Sequence, residues 1–327
     1  HTHQNIRDTN DGTGHRRVLL RLSDDDPLVR ELLDALKVTA SHETDSPDGF
    51  SNSIKVTVTS AGTSSGYAQF YQKIEGQDLQ RFAKGSSGAK KFAVSFYIKS
   101  KVTGNFVLDL YDSDNARSCQ QIYTVNASQT WERKTVIIPA DTTGAWDNDN
   151  NASLQIYWKV FAGDQSGTLH TTWQAHSTNA DRGVGQVNAI ASNGDYVQIT
   201  GCQLEVGDTA TTFEHRSHAD ELVRCSRYCQ VWGRGYCIGN AVGSNDINIG
   251  VPLTTPLRAV PSCNGLQMHR SGNQSASCTF HSAQYVAGTN VVEIRMGNWT
   301  GGAAVSDEVA YAVTPVSPAT MILSAEI

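Results

Sequence analysis

The sequence predicts an all-β protein, in which an antiparallel β-sandwich is followed by a smaller C-terminal β domain. Stretches of six to nine residues alternate between apolar and polar side chains, as in IKVTVTS at 54–60. Clusters of Gly, Asn and Asp separate them, as in DNDNN at 147–151. Many short strands with turn residues between them indicate an antiparallel sandwich. The predicted strands do not alternate with helices, so we do not expect a parallel-sheet enzyme fold.

The composition agrees with this class and limits the function. The chain has 327 residues, enough for two or three domains, and only 18% of them are charged. The net charge is −6 and basic residues form no cluster, so we expect no nucleic-acid partner. No run of about 18 apolar residues occurs, so we expect no membrane insertion.

The first 38 residues differ in character from the rest of the chain. Residues 1–22 are polar and predict an extended arm, whereas SDDDPLVRELLDALK at 23–37 predicts a short helix. Pro27 suits the first helical position, and Leu28, Leu32 and Leu36 fall on one helical face. The helix could pack on its own domain or form a bundle between protomers, and the sequence leaves both open.

The predicted sandwich domain covers residues 39–210. Its clearest strand is FAVSFYIKS, where Phe92, Val94, Phe96 and Ile98 share one parity and should face the core. Trp131 is expected in the core because aromatic rings bury the most area, and alternation favours an inward Trp158. The other strands are predicted at 54–60, 105–113, 130–139, 154–163 and 195–206.

A linker helix between the domains is predicted within residues 211–232, with its helical part at 216–230. Ser217 followed by Asp220 suits a helix start, and Gly233 ends the pattern. Residues 233–327 then predict the C-terminal β domain.

The seven cysteines are too few and too irregularly spaced to indicate a structural framework. An odd number argues against complete disulfide pairing. Cys225 and Cys229 are separated by three residues rather than the two usual for zinc ligands. We expect free thiols here, with a disulfide or a metal as alternatives.

The most specific segment is ITGCQLEVGDTATTFEHRS at 199–217. It resembles a domain junction of bacteriophage tail-fibre and virion surface-fibre proteins of the marine-phage type. The motifs PDGFSNS, KIEGQDLQRF, KKFAVSFYIKS and TWERKTVIIPAD resemble the jelly-roll domain of the same family. That family has a jelly-roll domain like that of carbohydrate-binding modules. The resemblance implies a jelly-roll sandwich over residues 39–210, a homotrimer, an N-terminal arm that contacts other virion proteins, and no catalytic motif or cofactor.

Candidate glycan contacts are Trp146, Asp147, Asp149, Trp173 and Trp299. Sugars stack on exposed aromatic rings while carboxylates and amides bind their hydroxyl groups, and a tryptophan inside an Asp/Asn/Gly loop is unusual for a core residue. The alternative is that Trp146 packs inward and holds its loop in place. Asp147 and Asp149 could also suit a calcium loop, but a turn of solvated side chains is the simpler interpretation, and we expect no metal.

The leading hypothesis is a phage virion structural protein, a fibre or surface projection that attaches to host-surface polysaccharide. It would be assembled in the bacterial cytoplasm and would not be an enzyme. One alternative is a capsid-decorating fibre or tail adaptor with structural contacts alone. A second alternative is a polysaccharide-depolymerising tailspike, which would need a pair of carboxyl groups in a groove.

Overall fold

The computed structural model describes residues 15–17, 38–59, 67–232, 237–242, 246–264, 268–270, 274–286, 289–300, 310–313 and 321–325. The chain divides into two compact units, which meet in sequence between His215 and Arg216. Both units consist mainly of antiparallel strands, which confirms the predicted all-β class. Of the predicted N-terminal arm at 1–22, only residues 15–17 are described, and they form a strand. The predicted helix at 23–37 lies outside the described residues.

The first unit is a sandwich of two antiparallel sheets. In chain order its strands are β1 (His15–Arg17), β2 (Val38–Glu43), β3 (Ser53–Val58), β4 (Tyr67–Glu75), β5 (Phe92–Ser100), β6 (Gly104–Asp112), β7 (Arg117–Val125), β8 (Glu132–Ile138), β9 (Ala152–Ala162), β10 (Gln174–Ala175) and β11 (Tyr196–Val206). The back sheet has the order β2-β3-β11-β5-β8, with β1 also paired to β11. The front sheet has the order β10-β7-β6-β9-β4. Short 3-10 helices lie at Gly76–Asp78, Gln80–Phe82 and Asn179–Gly183.

The core between the two sheets follows the predicted alternation. Phe92, Phe96 and Ile98 of β5 are almost fully buried, as expected from their shared parity. Trp158 of β9 is 1% exposed and meets the Phe96 ring edge-on, with 5.9 Å between the centroids. Facing aromatic side chains from the two sheets therefore form the centre of this core.

Trp131 does not join this core. It lies one residue before β8, is only half-buried, and donates its indole N–H to Asp45 Oδ1 at 3.1 Å. The prediction that Trp131 fills the sandwich core is therefore wrong. At the end of a strand, a hydrogen bond from the indole to a carboxylate has replaced burial of the ring.

Strand β11 is buried on both faces, not on one as its alternation suggested. Gln203 and Glu205 point away from the core but are covered by residues 207–215, which fold back over them. Glu205 Oε1 accepts a hydrogen bond from Thr211 Oγ1 at 2.7 Å, and its Oε2 accepts one from the Thr211 N–H at 3.1 Å. Gln203 Oε1 accepts from the Glu214 N–H at 3.1 Å. The first unit consequently extends past the end of its last strand.

The second unit begins with helix α1 (His218–Cys225). Ser217 caps it, because its Oγ accepts a hydrogen bond from the Asp220 N–H at 3.2 Å. The predicted helix continued to residue 230, but the helix ends at Cys225 and strand β12 (Cys229–Trp232) follows after three residues. Of the described helices, none is both long and apolar enough to cross a membrane.

The remaining strands of the second unit form two sheets. They are β13 (Cys237–Val242), β14 (Asp246–Pro252), β15 (Ser262–Asn264), β16 (Met268–Arg270), β17 (Gln274–Tyr285), β18 (Val291–Thr300), β19 (Ala310–Val313) and β20 (Met321–Ser324). One sheet closes on itself in the order β13-β14-β18-β17-β16-β19. The other has the order β12-β20-β15, so pairing with β20 accounts for the early end of the helix.

Candidate functional site

Trp146 does not present a ring to solvent. It is 5% exposed and meets the Phe82 ring edge-on, with 5.9 Å between the centroids, and the Phe92 ring at 6.5 Å. A sugar needs an open ring face for stacking, and Trp146 has none. The prediction of Trp146 as a glycan contact is therefore corrected to the alternative, in which the ring packs inward and holds its loop.

Trp173 is buried in the same way. It is 6% exposed, and its indole N–H donates to the Pro139 carbonyl at 3.0 Å. The Lys84 Nζ lies 5.5 Å from the Trp173 ring centroid and 5.4 Å from that of Trp146. Two rings predicted to bind sugar instead surround one buried ammonium group, in a cation–π arrangement.

The Lys84 ammonium holds the surrounding loops together. It donates to Asp112 Oδ2 at 2.6 Å and to the carbonyls of Thr143 and Gly144 at 2.9 Å and 2.7 Å, and it lies 3.1 Å from Asp141 Oδ2. These partners of the charge are all oxygen atoms, as burial of an ammonium requires. This cluster explains why an Asp/Asn/Gly loop contains a buried tryptophan.

The two predicted aspartates have local contacts. Asp147 is exposed, and its backbone N–H donates to Asp114 Oδ2 at 2.9 Å. Asp149 Oδ1 accepts from the Asn151 N–H at 2.9 Å, which is a turn contact. Within the described ranges, no group of three or more His, Cys, Asp or Glu side chains is arranged to hold a metal. The side chain of Trp299, on β18, lies outside the described residues.

A different aromatic pair lies on the outer face of the front sheet. Tyr71 of β4 and Tyr157 of β9 are direct partners in the strand register. Their neighbours Phe70 and Trp158 face the core, so the two tyrosines face outward. The ring centroids are 6.0 Å apart with 27° between the planes, and Tyr71 is 49% exposed. We call this pair the tyrosine platform.

Arg182, from the 3-10 helix Asn179–Gly183, covers the inner part of this platform. Its guanidinium lies 4.6 Å from the Tyr157 ring centroid and 5.0 Å from that of Tyr111. Its Nε donates to Asp109 Oδ2 at 2.9 Å. The guanidinium is thus oriented by one carboxylate while it packs on two rings.

Asp109, which lies beside Tyr157 in the register of β6 and β9, is the buried centre of the neighbouring charges. It is 0% exposed, accepts a hydrogen bond from Gln120 Nε2 at 3.1 Å, and lies 3.5 Å from Lys159 Nζ. Lys159 in turn donates to Gln69 Oε1 at 2.5 Å. Burial lowers the pKa of Lys159 to about 8, although the nearby Asp109 opposes this shift.

The open side of the platform carries amides and an ammonium group. The Tyr157 hydroxyl donates to Gln155 Oε1, and Gln155 Nε2 donates to Ser113 Oγ at 2.7 Å. Burial raises the pKa of Tyr157, so its hydroxyl stays neutral and able to donate. Lys73 is partly exposed and lies opposite Gln155 in the register. A flat ring beside amide and cationic groups is the chemistry that recognises a sugar.

The sequence contains a signal for this site that lies outside the tryptophan loops. Core residues directly adjoin both tyrosines in the sequence. In YAQFYQKIE, Phe70 precedes Tyr71, and in LQIYWKVFA, Ile156 and Trp158 flank Tyr157. Outward parity of an aromatic residue in a half-buried strand marks it as available to a ligand. What the sequence does not contain is the register that makes these two tyrosines neighbours.

Comparisons with known proteins give only remote likenesses. No family model matches the chain, and none of the curated proteins does. A tailspike protein 4 domain of bacteriophage CBA120, described as enzymatically active, is 15% identical with a TM-score of 0.32, covering 52% of this chain and 18% of its own. The chain therefore spans less than a fifth of that protein.

Two carbohydrate-binding modules are similarly distant. A family 22 xylan-binding domain from Paenibacillus barcinonensis is 10% identical with a TM-score of 0.27, covering 53% of this chain and 83% of its own. A family 11 module from Clostridium thermocellum is 14% identical with a TM-score of 0.26, covering 55% and 85%. Values this low support no inference about ligand, activity or assembly.

Proposed function

We propose that this chain is a phage virion surface protein, a fibre or projection, whose sandwich binds host-surface glycan at the tyrosine platform. The half-exposed Tyr71, held nearly parallel to Tyr157 on two paired strands, is the observation that carries the binding proposal. The virion assignment is supported by the resemblance of residues 199–217 and the four motifs that accompany them.

The platform suits a sugar for two physical reasons. Paired strands fix both rings before a ligand arrives, so little conformational freedom is lost on binding. The apolar face of a pyranose would pack on the open side of Tyr71, while Gln155 and Lys73 are placed to meet its hydroxyl groups or substituents. Single sites of this kind are weak, and a trimer would raise the overall avidity by presenting three of them.

The proposal is binding without catalysis. Glycoside hydrolysis uses two carboxyl groups that flank the scissile bond. Asp109, the carboxylate beside Tyr157, is buried and paired with Arg182, so it is badly placed to exchange a proton with a substrate. Incubation of the chain with host capsule or lipopolysaccharide tests this, and release of reducing ends would contradict it.

The platform itself is tested by Tyr71→Ala, with Tyr196→Ala as the matched control. Tyr196 lies on the outer face of the back sheet, and Lys55 Nζ is 4.6 Å from its ring centroid, so both positions combine a tyrosine with a lysine. We expect Tyr71→Ala to weaken binding to host-envelope polysaccharide about tenfold, or about 1.4 kcal/mol, in affinity electrophoresis. Tyr196→Ala should leave it unchanged.

Circular dichroism would confirm that both variants are folded. Binding that survives Tyr71→Ala, or that both variants weaken equally, would exclude the platform as the binding site.

A further inference from the structure

The charges around the tyrosine platform are unequal. Arg182 lies 2.8 Å and Lys159 3.5 Å from the same carboxylate, that of Asp109. With all three ionised, this cluster carries one net positive charge. Lys73, on the same outer face two residues along β4 from Tyr71, adds a further cation.

Of the charged groups around the platform, the Lys73 side chain is more exposed than the Asp109 carboxylate. Asp109, the register partner of Tyr157 on β6, is completely buried, whereas Lys73 is partly exposed. The single carboxylate of β4, Glu75, is also buried and accepts a hydrogen bond from Gln77 Nε2. A ligand on Tyr71 would therefore lie beside the partly exposed Lys73 side chain, whereas the Asp109 carboxylate is shielded from it by burial.

The distances suit a substituent on a stacked sugar. Residues two apart on one face of a strand are separated by about 7 Å. The flexible Lys73 side chain can therefore reach a group on a sugar that packs against Tyr71. The chain as a whole has a net charge of −6, so this positive face is a local feature of an acidic protein.

We propose that the glycan bound at the tyrosine platform is anionic and that Lys73 binds its acidic group, a uronate carboxylate or a sulfate ester. This inference rests on the proposed function, because it assigns the ligand class of the same site. Tyr71 would supply stacking common to all sugars, and Lys73 would supply discrimination between charged and neutral ones.

Four polymers in two matched pairs test the proposal. They are polygalacturonate with its carboxyl-reduced form, and a sulfated galactan with its desulfated form. Dissociation constants would be measured at low and at about 0.5 M salt for wild type, Lys73→Gln, Tyr71→Ala and the control Lys55→Gln. Lys55 lies beside Tyr196 on the opposite sheet, so its removal changes the net charge equally at a different place.

We expect at least one anionic polymer to bind about tenfold or more tightly than its neutral partner, with the difference reduced by salt. Lys73→Gln should make the dissociation constants of the two polymers in that pair nearly equal, whereas Lys55→Gln should not. The pair that discriminates identifies carboxylate or sulfate as the recognised group.

The outcomes separate the two proposals. Equal binding of anionic and neutral polymers, or an equal effect of Lys73→Gln and Lys55→Gln, overturns the anionic assignment. If Tyr71→Ala still abolishes binding in that case, the proposed function stands. Absence of binding to all four polymers likewise overturns the anionic assignment, whereas binding that is insensitive to Tyr71→Ala overturns the proposed function itself.

Discussion

Replacing Asp109 with asparagine is expected to destabilise the first unit strongly. The substitution keeps the size of the side chain and an oxygen that can accept from Gln120, but it removes the negative charge from between Arg182 and Lys159. Both cations would then remain in a buried position without their shared counter-charge. Lys159 can release its proton because its pKa is already lowered to about 8, whereas a guanidinium stays charged.

The magnitude follows from the distances and the burial. At an effective dielectric constant of about 20, unit charges 2.8 Å and 3.5 Å apart attract by roughly 6 and 5 kcal/mol, most of which offsets their desolvation. Removal of one partner from a buried ion pair typically costs about 3–5 kcal/mol. For a unit of this size, that corresponds to a melting temperature lower by roughly 6–20 °C.

Lys159→Met provides the comparison. It leaves the Asp109–Arg182 pair intact and neutral, so we expect a change within about 1 kcal/mol. Urea unfolding of the full chain, followed by tryptophan fluorescence, would give both values. The reasoning would be refuted if Asp109→Asn cost less than about 1 kcal/mol, or if Lys159→Met were the more damaging change.

The other predictions concern Trp146 and the proton on Lys159. Trp146→Ala should lower the free energy of unfolding by about 3–5 kcal/mol without weakening glycan binding by the folded protein, and the reverse pattern would restore this ring as a ligand contact. Lys159 has a pKa of about 8 in the folded chain against 10.5 for the unperturbed group, so above pH 8 the unfolded state binds more protons. Wild-type stability should therefore rise between about pH 8 and pH 10 relative to Lys159→Met, by up to about 3 kcal/mol, and a constant difference across that range would contradict the assignment.

The core was predictable because local alternation decided it. Phe92, Phe96 and Ile98 lie on one face of a strand in any register, and burial of that face is the consequence. Ile74 at the end of β4 is buried as well, and a 3-10 helix begins directly after the strand at Gly76. A Cβ at Gly76 would lie 2.0 Å from the Asp147 carbonyl oxygen, so no larger residue fits there without movement of the backbone.

The site was not predictable in the same way, because it depends on contacts between distant segments. Trp146 is buried by Phe82 and Phe92, and nothing in the polar sequence around Trp146 indicates those neighbours. Tyr71 and Tyr157 become a pair only through the register of β4 and β9. The predicted helix at 216–230 was too long for a related reason, since residues Cys229–Trp232 pair with β20 instead of continuing the helix.

The hydrogen bonds that cover β11 decide where the sandwich can be separated from the C-terminal part of the chain. A chain cut after Val206 would leave Gln203 and Glu205 without the contacts that Glu214 and Thr211 supply. It would also lose Phe213, whose ring centroid lies 4.9 Å from that of Phe50. An independent sandwich must therefore extend to His215, and any exchange of this module between proteins would have to transfer residues 207–215 with it. Residues 207–215 are therefore the last part of the sandwich domain and not a connection between the two domains.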